Sequence, residues 1–405
     1  MPVGSICSSV EAETSTIYIE GSGLVTPMGT SPAEVLGAII AGRRLANSGV
    51  VQGLPDLLQA ILSSVHESHL VKTTSWDMTR PDRSIALALG AAVEAVRDAG
   101  WTAADLAAPD THLFAATSKG PVLTQLAALR QLSGHDFSLF DRATAWQIAL
   151  GPDAMACWVG DYIGIGGPRH TTVGACAGSL LAVHRAATEL KRGTCKRAIV
   201  VAADASRHPL FEGSFANLGV LAPTDEQGRQ FCTAMDEKPG GFFISEAAGA
   251  ICMTTQRFAN SPSANGHGEA SRVVLQQSWS GGDATHLIAT DPEAKALRRG
   301  LSHCKGSGST AFVHAHATGT AHDQYELAAI RDAYGPAVEV FSHKRWLGHS
   351  LGAAGLVALV LSTQCHRQCM SLGDKTIASD AESVTIGQGF GGHIGICRLA
   401  SMRSP

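Results

Sequence analysis

The chain has 405 residues, 45% of them hydrophobic and 16% charged, which excludes a disordered chain and predicts at least two packed halves, because one core rarely grows past roughly 250–300 residues. A net charge of −4 with no long basic run excludes nucleic acid as the main ligand. The longest apolar stretch, Leu351 to Thr363, is shorter than the ~20 residues of a membrane helix. Residues Met1 to Thr16 are small and polar and carry Glu11 and Glu13, without the basic start or apolar middle of a signal peptide. The expectation is a cytoplasmic protein with a disordered tail over residues 1–16. The ten cysteines are scattered and form no CxxC pair, so they read as reduced, buried small hydrophobes.

In chain order, Ile17–Glu20 reads as a short strand, followed by Gly21-Ser22-Gly23. That GxG lacks the third glycine of a dinucleotide fingerprint, since Thr26 stands there, and it reads as a tight turn. Pro81–Ala99 has helical spacing, with Ile85, Leu89, Val93 and Val96 on one face and Gly100 as the stop. Thr171–Val173 is a brief strand, Gly178–Arg192 a helix ended by Gly193, and Ala198–Ala203 a strand buried on both faces. Phe242–Cys252 is apolar and strand-rich. The Ser, Asn, Pro and Gly residues of Ala259–Glu269 mark a boundary between an N-terminal half, residues 17–257, and a C-terminal half, residues 258–405. After it come a strand at Ala311–Ala315, a helix over Gln324–Ala333, an apolar helix from Leu351, a turn at Gly387–Gly392 and a strand at Ile394–Leu399. Strands alternate with helices in both halves, which makes the class α/β, with no clear sequence repeat between them.

Cys176 lies between a strand and a helix in Thr171-Thr172-Val173-Gly174-Ala175-Cys176-Ala177-Gly178-Ser179. Small neighbours permit a sharp turn, and a helix N-terminus would favour thiolate over thiol. The alternative is a buried structural cysteine. His316 follows the apolar strand in His316-Ala317-Thr318-Gly319-Thr320, with Asp323 and Glu326 on one face of a starting helix. His349 ends Ser342-His343-Lys344-Arg345-Trp346-Leu347-Gly348-His349 and stands at the start of the apolar helix, where the dipole would keep its ring neutral. Either histidine could instead be a satisfied core residue. His314 and His316 would share a strand face near His303 and Cys304, but the spacing fits no zinc pattern, so no metal is expected.

These pieces, a cysteine in a small-residue turn, then HxTGT, KxxxxGHxxGAAG and GFGG, resemble in their order the β-ketoacyl synthases of the thiolase superfamily, from about Ile17 to Leu399. The resemblance implies two pseudo-equivalent βαβαβαββ halves stacked as a five-layer αβαβα sandwich. It also implies a decarboxylative Claisen condensation with no cofactor, on substrates carried by the phosphopantetheine of acyl carrier protein. Cys176 would carry the acyl chain, and His316 and His349 would stabilise the malonyl enolate. Lys344 would orient His316 with Glu326 as its ion-pair partner and Asp323 in support. The N–H groups of Cys176 and Phe390 would form the oxyanion hole, with Phe390 also a gate, and Thr318 and Thr320 would contact the pantetheine arm. A second histidine, His349, implies the elongating kind, a homodimer in the family.

The sequence departs from the family at Gly174, Ala317, Ser245, Ala247 and His393, and at Thr117-Ser118-Lys119-Gly120. Gln131 to Asp161, with Phe137, Phe140, Trp146 and Trp158, also differs, in the region that shapes the family's acyl pocket and dimer interface. These departures point to a specialised polyketide, polyene or lipid branch. Two alternatives stand beside it: a partner-dependent or chain-length-factor-like subunit in a heterodimer, and an acyltransferase or thioesterase on the same scaffold. Lys72, Arg80, Arg83 and Arg207 are candidates for a basic rim that meets the acidic carrier protein, against ordinary surface charge.

Overall fold

The computed structural model describes residues 16–47, 49–54, 56, 82–133, 149–255 and 272–402. The tail, the 259–269 boundary, Lys72, Arg80, Phe137, Phe140 and Trp146 lie outside these residues.

Two successive segments of the chain trace the same path. The first is β1 (Ile17–Val25), α1 (Arg83–Ala99), β2 (Thr111–Thr117), α2 (Ala154–Tyr162), β3 (Arg169–Val173), α3 (Gly178–Lys191), β4 (Arg197–Asp204) and β5 (Ala247–Thr254). The second is β6 (Arg272–Gly282), α4 (Lys295–Cys304), β7 (Thr310–His314), α5 (Asp323–Tyr334), β8 (Glu339–Phe341), α6 (Ala354–Gln368), β9 (Glu382–Gly389) and β10 (His393–Met402). The strand order is β3-β2-β4-β5-β1-β6-β10-β9-β7-β8, which reads the same from either edge once the halves are superposed. In each half the second strand runs parallel to the third and fourth, and the fifth runs antiparallel to the fourth and the first. The halves join where β1 meets β6, antiparallel, at Ile17–Leu275, Tyr18–Val274 and Ile19–Val273.

The middle layer consists of α3 and α6, each touching strands of both halves, while α1 and α2 cover the first five strands and α4 packs on β6 and β10 with α5 beside it. This is the expected five-layer arrangement; α6 is buried along nearly its whole length, while α3 buries an apolar face and leaves Arg185 and Lys191 exposed. Among the described residues no helix is long and apolar enough to cross a membrane.

Local sequence explains the element ends. Asp82 caps α1 by accepting the Ser84 N–H at 2.9 Å, and Gly100 ends it at φ 67. The Gly21-Ser22-Gly23 segment is not a turn but the middle of β1. A Cβ at Gly21 would fall 2.1 Å from the Ala95 carbonyl oxygen, and one at Gly23 2.0 Å from that of Ala91. The glycines are there because α1 presses its backbone onto the strand. Three further boundaries move. The strand of Phe242–Cys252 begins only at Ala247, β9 runs through Gly389 so that the turn is confined to 390–392, and β7 ends at His314. His314 therefore does not share a strand face with His316. It turns into the core, where its ring meets Ser362 Oγ at 3.1 Å and His343 Nδ1 at 3.0 Å.

Both middle helices are entered through the same device. A one-turn 3-10 segment, Ala175–Ala177 before α3 and Leu351–Ala353 before α6, opens on a non-glycine residue in the left-handed region, Ala175 at φ 46 and Leu351 at φ 47. Such residues are uncommon, and their position twice over at sharp bends marks a built elbow. The second residue of the first elbow is Cys176 and that of the second is Gly352.

Candidate active site

Cys176 is raised on the first elbow and is only 9% exposed. The elbow closes because Gly174 has no side chain: a Cβ there would lie 2.7 Å from Leu181 Cδ1. Burial pushes the thiol up to about 11, against the pull of the Lys119 and Lys344 charges. Desolvation of the charged form thus works against the thiolate that a helix N-terminus would favour.

His316 is held by its own backbone. Glu326 Oε1 accepts the His316 N–H at 2.7 Å and Oε2 the Ala317 N–H at 2.8 Å, while Lys344 Nζ donates to the His316 carbonyl oxygen. Asp323 does the same one turn earlier, with Oδ1 accepting from Thr318 N–H at 2.9 Å and Oδ2 from Gly319 N–H at 2.8 Å. The two carboxylates that share a face of α5 thus grip four successive N–H groups of the His316–Gly319 turn. Among the described residues Lys344 and Glu326 make no direct ion pair, though each feels the other's charge, so the expected pairing is an electrostatic one without direct contact. Glu326 rises to about 7 because it is buried, and burial holds Lys344 below the usual lysine range.

His349 donates its N–H to the Phe243 carbonyl at 2.9 Å, and its own carbonyl accepts the Ser245 N–H at 2.9 Å. Its ring stands edge-on to Phe242 at 5.0 Å and to the His316 ring at 5.6 Å. Its Nδ1 is buried without a hydrogen-bond partner. Burial, then the Lys344 charge, hold both rings well below the usual histidine range, so both are neutral at pH 7. A neutral imidazole has one N–H to donate, and two such donors side by side suit an oxygen on which negative charge develops.

Cys176, His316 and His349 line one cavity of about 420 Å³, together with Thr318, Thr320, Asp323, Glu326 and Phe390. Lys344 does not line it, but is buried and donates to the His316 carbonyl. Phe390 is 38% exposed and stacks on Phe215 at 6.2 Å. A Cβ on Gly389 would fall 2.9 Å from the N atoms of both Cys176 and Ala177, so the Phe390 turn lies directly against the elbow. The departing His393 lines the same cavity. Ala317 packs in the core, and Ser245 adjoins the buried Glu246, which pairs with Arg83 at 2.8 Å. Arg83 and Arg207 are thereby spoken for: Arg83 Nη2 also donates to the Val51 carbonyl at 2.5 Å, and Arg207 pairs with Glu212 at 3.2 Å and bonds the Asn47 carbonyl at 2.9 Å.

The sequence reading missed Phe215 and Phe242 as cavity walls, and Lys119 as a charge felt at both Cys176 and His349. Lys119 had a signal. It follows the buried strand β2 at its carboxyl end, where α/β sheets place their ligands.

Two family descriptions match the chain: the β-ketoacyl synthase N-terminal domain over residues 14–259 and the β-ketoacyl synthase C-terminal domain over residues 272–371. A curated relative, 3-oxoacyl-[acyl-carrier-protein] synthase 2 of Staphylococcus aureus (strain N315), is 26% identical over 79% of this chain and 75% of its own. The solved ishigamide ketosynthase/chain length factor superposes with a TM-score of 0.76 at 20% identity, covering 96% of this chain and 100% of that one. A type II polyketide acyl-carrier protein in complex with its ketosynthase bound to the hexaketide gives a TM-score of 0.76 at 18% identity, with the same coverage. With the thiolase-like architecture, the duplicated elbow and both domain matches in agreement, the chain belongs to the β-ketoacyl synthase family, the condensing acyltransferases.

Proposed function

We propose that the protein is an elongating β-ketoacyl synthase in which Cys176 is the nucleophile. The observation that carries this is the convergence of the Cys176 thiol and two neutral imidazoles, His316 and His349, on one cavity. The Cys176 sulfur attacks the acyl thioester of a carrier protein, the new S–acyl bond forms, and the carrier thiol leaves with the cysteine proton. Malonyl thioester then binds with its carbonyl oxygen facing His316 and His349. The bond to the carboxylate breaks, CO₂ leaves, and the electron pair becomes an enolate held by the two N–H donors. The enolate carbon attacks the acyl–Cys176 carbonyl, whose oxyanion accepts the N–H groups of Cys176 and Phe390, and the thiolate is expelled. Preorganised donors of this kind contribute on the order of 10²–10³ in rate each. Thr318 and Thr320, on the cavity wall, suit the polar pantetheine arm, and no cofactor takes part.

The partners in this reading are acyl carrier protein and a second synthase-like subunit. The solved relatives support both, being a ketosynthase/chain length factor and a ketosynthase with its carrier protein. The second subunit adds at β3, an edge strand that leads straight into the Cys176 elbow and leaves Val173 49% exposed. The intact Cys176, His316, Lys344 and His349 favour an active subunit over a chain-length factor, in a homodimer or beside a dissimilar partner.

The test is intact-protein mass after incubation with a panel of acyl carrier proteins, followed by malonyl carrier protein. A thioester adduct that vanishes in Cys176→Ala, and CO₂ released on adding malonyl carrier protein, are expected. An adduct without CO₂ would leave an acyltransferase, and no adduct from any donor would overturn the reading.

A further inference from the structure

Lys119 stands on the turn after β2, and the turn is anchored to both elbows. Thr117 Oγ1 accepts the Gly120 N–H at 3.1 Å, and Gly120 takes φ 86. Asp204 Oδ2 accepts the Ser118 N–H at 3.0 Å and the Gly352 N–H of the second elbow at 3.0 Å. A Cβ on Gly352 would fall 2.4 Å from Ser118 N, and one on Gly178, two residues beyond Cys176, 3.5 Å from the Thr117 carbonyl oxygen. The lysine backbone is therefore fixed beside the nucleophile.

The ammonium is also placed. It lies 5.3 Å from the centre of the Phe211 ring and 6.0 Å from that of Phe215, and donates to Ser118 Oγ at 2.9 Å. Among the described residues no carboxylate lies within ion-pair distance of it. Phe215 forms part of the cavity wall and stacks on Phe390, so the ammonium rests against a ring that the cavity itself touches. Its charge is felt at the thiol and at the His349 ring.

A half-buried cation resting on aromatic faces keeps a modest cation–π attraction but retains unmet donors. A wholly aliphatic chain laid beside it would strip its remaining water and return nothing. An acceptor oxygen would replace that water with a charge-assisted hydrogen bond. We propose that Lys119 is a specificity-determining residue that receives an oxygen-bearing group, a β-carbonyl or a carboxylate, on the acyl chain carried by Cys176. The inference rests on the reading of Cys176 as nucleophile.

The experiment is competitive acylation of the full-length protein, read by intact mass. The donors are hexanoyl, 3-oxohexanoyl and 5-carboxypentanoyl thioesters of N-acetylcysteamine, which match in chain length and need no carrier protein. Wild type should take an oxygenated donor over hexanoyl, and which of the two it takes separates the β-carbonyl from the carboxylate. Lys119→Met should move the ratio toward hexanoyl by about tenfold or more, the size of a lost hydrogen bond to a charged group, and Lys119→Arg should restore it. Because a change in thiol acidity scales all three donors alike, the ratio isolates recognition. Should Lys119→Met not fold, Lys119→Leu, which likewise has no donor, supplies the same comparison. A ratio unchanged within about twofold in a folded neutral variant, set against that expected loss, would overturn the inference while acylation itself leaves Cys176 standing. No acylation of wild type would overturn both.

Discussion

At the scale of the residue, the Cys176 thiol stands above the usual cysteine range. Burial is the reason, pushing it to about 11, and the Lys119 and Lys344 charges only moderate the shift. The ionised fraction of a group far below its pKa grows tenfold per pH unit, so alkylation of Cys176 by iodoacetamide should accelerate about tenfold per unit from pH 7 to 10. Peptide mapping of the labelled cysteine against pH checks this, and a plateau reached by pH 8 would show a thiolate stabilised more strongly than burial opposes it. The two imidazoles shift the other way for a related reason. Burial and the Lys344 cation both disfavour imidazolium, which leaves His316 and His349 as donors of hydrogen bonds, not of charge. Desolvation and a buried lysine thus act on both rings in the direction that the helix dipole was expected to act on His349.

At the scale of the element, the duplicated elbow is the feature that builds the site. One copy carries Cys176 and the other carries Gly352, and the second has no room for a side chain. A Cβ at Gly352 would lie 2.4 Å from Ser118 N and 2.8 Å from Asp204 Oδ2, the carboxylate at the end of β4 that holds the Ser118 turn. Gly352→Ala should therefore cost about 1–3 kcal/mol, the usual range for overpacking a rigid site. Gly178→Ala serves as the contrast, because its nearest neighbour lies at an ordinary 3.5 Å and the position is helical. Denaturation midpoints of the two variants should differ clearly, with Gly178→Ala near wild type. Equal midpoints would mean that the turn around Ser118 gives way.

At the scale of the whole molecule, the sheet closes one edge question and opens another. The junction of β1 with β6 spans three residue pairs, but α3 and α6 are packed by strands from both halves, so the shared helices hold the halves together. The sheet ends at β3 on one side and at the three-residue β8 on the other. An edge left unpaired among the described residues, with a half-exposed valine, is a template for another strand, and a charge placed there opposes pairing. Val173→Glu should shift the protein from dimer to monomer in native mass spectrometry, or release a dissimilar partner from a co-purified pair. A wild type that is already monomeric, or an unmoved dimer, would place the subunit contact elsewhere.

Much of this was legible along the chain because it rests on local chemistry. Apolar spacing marks α1, glycine marks its end, small residues around Cys176 announce a sharp bend, and two acids three apart announce one face of α5. The motif order carried the family, since it places a cysteine and two histidines at fixed stations of a known path. Other properties depend on contacts between residues far apart in sequence, which no local pattern encodes. Gly21 and Gly23 looked like a turn until α1 was seen lying on them. Lys344 looked like a direct partner for Glu326, but it donates to the His316 carbonyl while Glu326 accepts the His316 and Ala317 N–H groups. The halves share no clear sequence repeat and yet repeat strand for strand, because burial selects for apolar character and size and not for identity. The charge on Lys119 is written in the sequence, but its place beside Cys176 comes from the folding of two elbows against one turn.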